Sequence, residues 1–240
     1  MARYRLKTNN DLEFPIEIIR TDRRKTFRIQ IDEGKVRIVV PQQLSQRNIN
    51  ALILKKTPWI RKKIRLQEKI LPLKPKEYVN GEIFSYLGKN YRLKLIENGI
   101  GEVKLKRGEL VLGVSPNLEN YQKLNFVKSR IVQWYKSHAE QILRDKTKKF
   151  AQKLRLHPKS ISVKEYKARW GSCSIKGEII YNWKIVLAPK QIVDYVIIHE
   201  LCHLLHQNHS PEFWRTVENS FLSYKESRQW LKENGLTLFV

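Results

Sequence analysis

Three histidines and one glutamate near the C-terminal end constrain the fold more than any other feature of the chain. His199 and His203 are four residues apart, and Glu200 directly follows the first of them. His209 comes six residues after His203. On an α-helix, His203 lies about 6 Å along the axis from His199 and about 40° around it, so both rings face one point. Glu200 lies about 100° from His199 and therefore stands beside that point.

This spacing is the HExxH pattern, in which two imidazoles bind a metal ion and the carboxylate serves as a general base. A catalytic zinc site has three protein ligands and keeps a fourth position for a water, whose pKa the metal lowers to about 7. We therefore predict one zinc ion bound by His199, His203 and a third histidine. Glu200 is the predicted catalytic residue.

Two histidines compete for the third ligand position. His206 lies about 20° from the face of His199, but roughly 4.5 Å further along the axis than the second histidine of the motif. His209 would leave that face if the helix continued. Asn208 is typical of a left-handed helix end, and residues 210–212 have the pattern of an N-cap, a first-turn proline and an acid. We prefer His209 as the ligand and predict that His206 is either a neighbour of the site or a packing histidine.

Several short segments resemble the YgjP-like family of zinc metallopeptidases. They are RWGSCS at 169–174, YNW at 181–183, LAP at 187–189, NHSPEFW at 208–214, RRKT at 23–26 and TPWI at 57–60. The resemblance thus covers most of the chain. It implies that His199, His203 and His209 bind zinc and that Glu200 is catalytic. The family is similar to the SprT and WLM groups, whereas the metzincin pattern has a glycine where this chain has His206.

The composition is that of a globular protein. The 240 residues are 41% hydrophobic and 10% aromatic, with only 9 prolines and 10 glycines. No apolar run reaches the roughly 18 to 20 residues that cross a bilayer, and the charged N-terminus has no secretory signal. We therefore predict a cytoplasmic protein without membrane insertion. Cys173 and Cys202 do not form a CxxC pair and are predicted to be reduced thiols.

The charge of the chain is strongly positive. Its 47 lysines and arginines against 23 acids give a net charge of +24. Such a field attracts polyanions, so DNA or RNA contact through the basic surface is one interpretation, and a basic surface that only aids solubility is the other. The basic residues are spread along the chain, with clusters at 23–25, 61–65 and 146–149.

Apolar periodicity predicts an α+β protein in which a β-rich region precedes long helices. The family resemblance implies that the second part is a zincin-like domain. Strands are expected within 4–40 and at 82–87, 91–96, 102–106, 109–114, 161–166 and 178–187. Helices are expected at 45–68, with either a break at Pro58 or a second helix that is capped by Thr57 and starts at Pro58. Further helices are expected at 119–155, 189–206 and 211–222, followed by one that opens with a capping box at 223–226. We detect no internal repeat. The predicted domains are a β-rich N-terminal domain with a helical insert at 1–115 and a zincin-like metallopeptidase domain at 116–240.

Four further residues are predicted to line a substrate cleft: Arg169, Cys173, Asn182 and His206. Arg169 either balances a buried acid or stabilises the oxyanion of the transition state. By analogy with zincins, the strand at 178–187 is the candidate to pair with a peptide substrate along an open edge. The alternative is an ordinary core strand, and the two roles are compatible.

The predicted activity is zinc-dependent hydrolysis of peptide bonds, with nucleic-acid-associated proteins as one candidate class of substrate. The alternative is a nucleic-acid-binding protein with a structural zinc site. Structural zinc usually takes four protein ligands, often cysteines, whereas only three histidines converge here and Glu200 is left over. That difference favours the peptidase.

Overall fold

The computed structural model describes residues 3–5, 14–22, 26–32, 35–68, 75–97 and 101–240. The chain divides into two compact units, Met1–Lys74 and Pro75–Val240. Within the described ranges, no helix is both long enough and apolar enough to span a bilayer. Small sheets and long helices make up both units, and the predicted α+β class is confirmed.

The N-terminal unit is a four-stranded sheet followed by one helix. Its strands are β1 (Arg3–Arg5), β2 (Ile16–Thr21), β3 (Arg28–Asp32) and β4 (Lys35–Pro41), and its helix is α1 (Gln46–Glu68). The sheet order is β1-β2-β4-β3, with β2 and β4 parallel and the other pairs antiparallel. Alternate apolar residues of β2 and β4 pack against the helix, which forms the core of this unit.

Helix α1 runs through Pro58 without the break that the sequence predicts. Ile49, Ile53, Ile60 and Ile64 recur at helical spacing and are buried in one core. Pro58 itself is exposed, so the carbonyl that loses its partner can face water. Burial of the isoleucine stripe therefore keeps the helix continuous through the proline.

The C-terminal unit begins with a second four-stranded sheet. Its strands are β5 (Ile83–Tyr86), β6 (Lys89–Glu97), β7 (Val103–Lys106) and β8 (Glu109–Val114), as the sequence predicts. Their order is β5-β6-β8-β7, again with a parallel central pair and antiparallel outer pairs. The long helix α2 (Asn120–Leu154) follows. The same topology thus occurs twice, a repeat that the sequence analysis did not detect.

The boundary between the compact units lies nearer the N-terminus than the predicted boundary at 115. The sheet β5–β8 shares one core with α2 and with the helix that carries the HExxH motif. Val127, Ile131 and Tyr135 of α2 are buried in that core, and the Tyr135 hydroxyl donates to the carbonyl of Ser85 at 2.8 Å. The strands after residue 75 therefore pack with the C-terminal half.

A third, smaller sheet lies beside the motif helix. It consists of β9 (Ser160–Lys164), β10 (Gly171–Cys173) and β11 (Glu178–Asn182), in the order β10-β11-β9. Because β11 is the central strand, the predicted open edge at 178–187 is wrong, and residues Trp183–Leu187 form a 3₁₀ helix instead. The open edge nearest the motif belongs to β10.

Three helices complete the unit: α3 (Lys190–Cys202), α4 (Pro211–Ser220) and α5 (Tyr224–Asn234). Helix α3 is buried around most of its circumference, as predicted. Ser223 precedes α5, but its side chain makes no capping hydrogen bond, so the predicted capping box does not form.

Candidate metal centre

The helix that carries the motif ends four residues earlier than predicted. Helix α3 stops at Cys202, and the chain then turns through hydrogen bonds from the amides of Leu204 and His206 to the carbonyls of Leu201 and Cys202. The Gln207 side-chain amide donates to the backbone carbonyl of His203, which would accept the next hydrogen bond if the helix continued. Side-chain bonds of this kind compete with the helix ladder.

The turn into α4 follows the predicted signals except at Asn208, whose φ is not positive. The Ser210 hydroxyl accepts a hydrogen bond from the amide of Phe213, and Pro211 occupies the first helical turn. This cap fixes where the second helix begins. His209 therefore lies in a short connection between two anchored helices.

The structure brings His199, His203 and His209 together. One ring nitrogen from each lies within 4.8 Å of the other two, and the Nε2 atoms of His199 and His209 are 3.1 Å apart. Among the described residues, this is the one group of three or more possible metal ligands of this kind.

His206 does not join this group. Its Nε2 lies 3.1 Å from the hydroxyl oxygen of Thr216, and its backbone carbonyl accepts a hydrogen bond from Nδ1 of His203 at 2.9 Å. A ring whose Nδ1 donates to a carbonyl has its lone pair on Nε2. His206 thus lies beside the centre, where it orients His203.

An aromatic wall surrounds the three rings. Phe213 is fully buried and stacks on His203 at 4.5 Å, with His199 and His209 at 5.0 and 4.8 Å from its ring. Trp214 stacks on His209 at 5.4 Å. Packing on both sides restricts the imidazole rotamers, which is the kind of support that a metal site needs.

The electrostatics of the cluster suit a cation. Burial, followed by the neighbouring histidines His203 and His209, lowers the pKa of His199 to about 3, so this ring is neutral and keeps its lone pair. Its buried Nδ1 has no hydrogen-bond partner within the described residues. Three imidazoles that converge on one point form a donor set that fits a divalent transition-metal ion such as zinc.

Glu200 is next to the cluster and is held by backbone rather than by hydrogen bonds. The residue is 5% exposed, and burial raises the pKa of its carboxyl to about 8 against the opposing charge of Arg169. A β-carbon added to Gly171 would lie 2.6 Å from the Oε1 atom of Glu200. Only glycine leaves room for the carboxylate at this position of β10.

A profile of the YgjP-like metallopeptidase domain matches residues 25–234. The chain belongs to this family. It is accordingly a metallopeptidase of the HExxH type, with a peptide or protein as substrate and a metal ion at its centre. The predicted zincin-like fold agrees with this membership.

Two solved structures of metallopeptidase zymogens are also similar to this YgjP-like chain. Abylysin from Pyrococcus abyssi is 26% identical over 38% of this chain and 93% of its own, with a TM-score of 0.34. Jannalysin from Methanocaldococcus jannaschii is 24% identical over 40% of this chain and 97% of its own, with a TM-score of 0.35. No match was found among curated proteins.

The other predicted cleft residues of this YgjP-like protein have different surroundings. Asn182 is buried, and its side-chain amide donates to the backbone carbonyls of Tyr166 and Arg169, so it holds the loop before β10. Cys173 lies on β10, and burial raises the pKa of its thiol to about 11. The side chain of Arg169 is exposed, and its guanidinium lies 5.4 Å from the Tyr166 ring.

The backbone of β10 alternates between its partner strand and the open edge. The backbone amide of Asn182 donates to the carbonyl of Trp170, and the backbone amide of Ser174 donates to the carbonyl of Glu178. Ser172 lies midway between Trp170 and Ser174, so its backbone also pairs with β11. Gly171 and Cys173 therefore direct their amides and carbonyls away from β11. This edge adjoins Glu200.

Two residues of the site have no signal in the sequence. Gly171 is a glycine because of a side chain 29 positions later in the chain. Arg228 on α5 lies near the histidine cluster, since its charge contributes to the lowered pKa of both His199 and His209 after burial and the other histidines. Only the packing of α5 against the site reveals it.

Proposed function

We propose that His199, His203 and His209 hold one zinc ion and that Glu200 acts as general base and then general acid in peptide-bond hydrolysis. The observation that carries this proposal is the convergence of three imidazole nitrogens beside a buried carboxylate. Three protein ligands leave an open coordination position, which distinguishes catalytic from structural zinc. The alternative of a structural zinc in a nucleic-acid-binding protein lacks a fourth ligand within the described residues.

Zinc bound in this way supplies a Lewis acid that lowers the pKa of a coordinated water and polarises the substrate carbonyl. Glu200 makes no hydrogen bond with the described residues, so both of its oxygens can serve the reaction. Its buried position favours proton uptake, as the raised pKa indicates. It accepts a proton from the attacking water and delivers it to the leaving amine. Gly171 keeps its carboxylate in place.

The substrate would pair with the open edge of β10. Gly171 and Cys173 offer outward amides and carbonyls beside Glu200, which suits an extended peptide added as a further strand. Arg169 contributes a positive charge on the Glu200 side of the centre, where it favours the ionised carboxylate. Cys173 faces the same edge and would contact the peptide.

Replacing Glu200 with glutamine tests the catalytic role. Glu200→Gln should retain stoichiometric zinc yet lose at least about 100-fold in kcat on a quenched fluorescent peptide, because an amide cannot accept the proton. Glu212→Gln, which removes an exposed carboxylate from the first turn of α4, is the matched control and should keep normal activity. Hydrolysis by Glu200→Gln at the normal rate would refute the mechanism.

The choice of third ligand is tested by a pair of alanine variants. His209→Ala should lose most of its zinc, measured by atomic absorption after dialysis. His206→Ala should keep its zinc, because the carbonyl that orients His203 belongs to the backbone. The opposite result would assign the third ligand to His206.

A nucleic-acid-associated substrate is the second part of the proposal, and the charge of the N-terminal unit favours it. Residues 1–74 contain 19 lysines and arginines against 7 acids. The face of α1 opposite its isoleucine stripe exposes Arg47, Lys55, Lys62 and Arg65, and no acid occurs at 46–67. A polyanion such as DNA matches this face.

The test is the salt dependence of DNA binding. Affinity should fall steeply with salt, and replacing Arg47, Lys55, Lys62 and Arg65 with glutamine should reduce the log–log slope by up to about 3 to 4. The control replaces four exposed lysines of α2 instead, at positions 123, 128, 148 and 149. Binding that is absent at low salt, or indifferent to salt, would remove nucleic acid from the proposal.

A further inference from the structure

Arg228 presents an exposed guanidinium at the rim of the metal centre. Its Cζ lies 4.3 Å from the centroid of the Trp214 ring, and that ring stacks on His209 at 5.4 Å with an interplanar angle of 23°. The guanidinium is therefore no more than about 10 Å from the His209 ring. The centroid of the Trp214 ring also lies 5.8 Å from that of His199, so the ring that carries the arginine contacts two of the three histidines.

The arginine is held in place by aromatic packing. Tyr224, one helical turn earlier on α5, is buried and stacks on the same Trp214 ring at 5.7 Å. Residues four apart share a helix face, so α5 delivers both side chains to Trp214. A cation over an indole face is fixed without the use of its hydrogen-bond donors.

Those donors have no acidic partner among the described residues. Of the two acids on α4, Glu218 pairs with Lys225 at 3.0 Å, and Glu212 is engaged by Ser210 and by Arg215. The planar fork of an arginine binds a carboxylate through two parallel hydrogen bonds, which makes it selective for that group. Within the described part of the chain, Arg228 is thus a positioned cation without an acidic partner.

The charge of this group follows from its chemistry. A guanidinium stays protonated at any pH at which the enzyme is folded, so it places a fixed positive charge at the rim of the histidine cluster.

We propose that Arg228 forms a carboxylate subsite beside the metal centre, so that this peptidase prefers peptides with a carboxylate close to the bond that it cleaves. The subsite rests on the proposed peptidase function and adds a substrate class to it. An extended peptide advances about 3.3 Å per residue, so a group within about 10 Å of the centre lies one to three residues from the scissile bond. The carboxylate belongs to an Asp or Glu side chain or to the C-terminus of the peptide.

The experiment compares matched quenched fluorescent peptides. One set has an amidated C-terminus and places a single Glu, or Gln as its neutral counterpart, at each of the three positions on either side of the bond. A second set has no acid and places the bond one to three residues from a free or an amidated C-terminus. We expect the normal enzyme to favour the carboxylate at least 10-fold in kcat/KM at one position, and the responsive set identifies its source.

Arg228→Gln should abolish this preference by raising KM for the preferred carboxylate peptide. The neutral peptides should stay within about two-fold of their normal kcat/KM. Lys232→Gln removes the same charge from an exposed position one turn later on α5 and should keep the preference. Arg228→Glu should invert it toward a Lys-containing peptide. Equal hydrolysis of charged and neutral peptides by the normal enzyme, or equal losses on both with Arg228→Gln, would overturn the subsite.

Binding separates failure of the subsite from failure of the peptidase proposal. In Glu200→Gln, fluorescence polarisation with the same labelled peptides should give at least 10-fold tighter binding for the preferred carboxylate peptide than for its neutral counterpart. Adding Arg228→Gln should remove the difference. If zinc-loaded normal protein hydrolyses none of the peptides, the proposed function fails. The subsite is then judged by binding alone: tighter binding of the carboxylate peptide that is lost in Arg228→Gln supports it, and equal binding of both peptides overturns it.

Discussion

The two four-stranded sheets of this chain share strand order and strand directions, and each precedes a helix, yet only the second is built into the metal-binding unit. Helix α1 buries one isoleucine stripe and exposes basic residues on its other side. Helix α2 is longer and packs against β7, β8, β9 and α3. The two sheets have the same topology, so the difference between the units depends on the helix that follows each sheet and on what that helix packs against.

Helix α2 gains this role through its length. Its first half packs on the second sheet through Val127, Ile131 and Tyr135. Its second half continues to the small sheet, where the hydroxyls of Thr147 and Tyr181 are 3.1 Å apart. One 35-residue helix thus joins two sheets into the core that carries the histidine cluster.

The largest expected difference comes from a matched pair of core truncations. Ile60 of α1 and Ile131 of α2 are both fully buried. Each alanine variant should lower the unfolding free energy of its own unit by about 2 to 5 kcal/mol. Calorimetry should show that Ile60→Ala shifts one transition and leaves peptide hydrolysis at 25 °C unchanged, whereas Ile131→Ala shifts the other. A shift of both transitions by Ile60→Ala would show that the units unfold together.

Metal removal should lower the stability of only one of the two compact units. Zinc at about 100 times its Kd adds about 2.7 kcal/mol to the stability of a unit that binds it only when folded. Dialysis against a chelator should therefore lower the melting temperature of the Pro75–Val240 transition and leave that of Met1–Lys74 unchanged. Restored zinc should reverse the shift. An equal shift in both units would contradict the separation of their cores.

The smallest expected difference compares two buried threonines. Thr57 of α1 and Thr147 of α2 both donate to the carbonyl four residues earlier, at 2.8 and 2.6 Å. Only Thr147 also meets a hydroxyl from another element, that of Tyr181. Thr147→Val should cost about 1 to 3 kcal/mol, because it leaves a buried hydroxyl without a partner, whereas Thr57→Val should cost less than about 1 kcal/mol. Urea unfolding of each variant measures the difference, and equal costs would contradict it.

The sequence predicted the parts of the site that depend on local spacing. The HExxH helix, the turn that brings His209 back and the cap at Ser210 all follow from residues close together in the chain. The strands from β5 to β8 and the helix α2 follow from apolar periodicity in the same way. Membership of the YgjP-like family is confirmed by the match over residues 25–234.

The features that the sequence did not predict depend on contacts between distant residues. Sheet order is set by pairing between strands, and the alternation of apolar residues does not indicate which strand lies at the centre. The prediction that β11 has an open edge was therefore wrong. The repeated topology was missed because a sheet core requires only apolar alternation, which unrelated residues provide. Gly171 and Arg228 matter through Glu200 and Trp214, which lie elsewhere in the chain.

The shortness of β10 would limit the substrates that can pair with its edge as proposed. Three residues offer about 10 Å of edge, enough to hold one straight stretch of polypeptide but not a helix or a tight turn. A folded target would have to release such a stretch from its own structure before cleavage. Its susceptibility would then depend on how often that part of its structure opens locally.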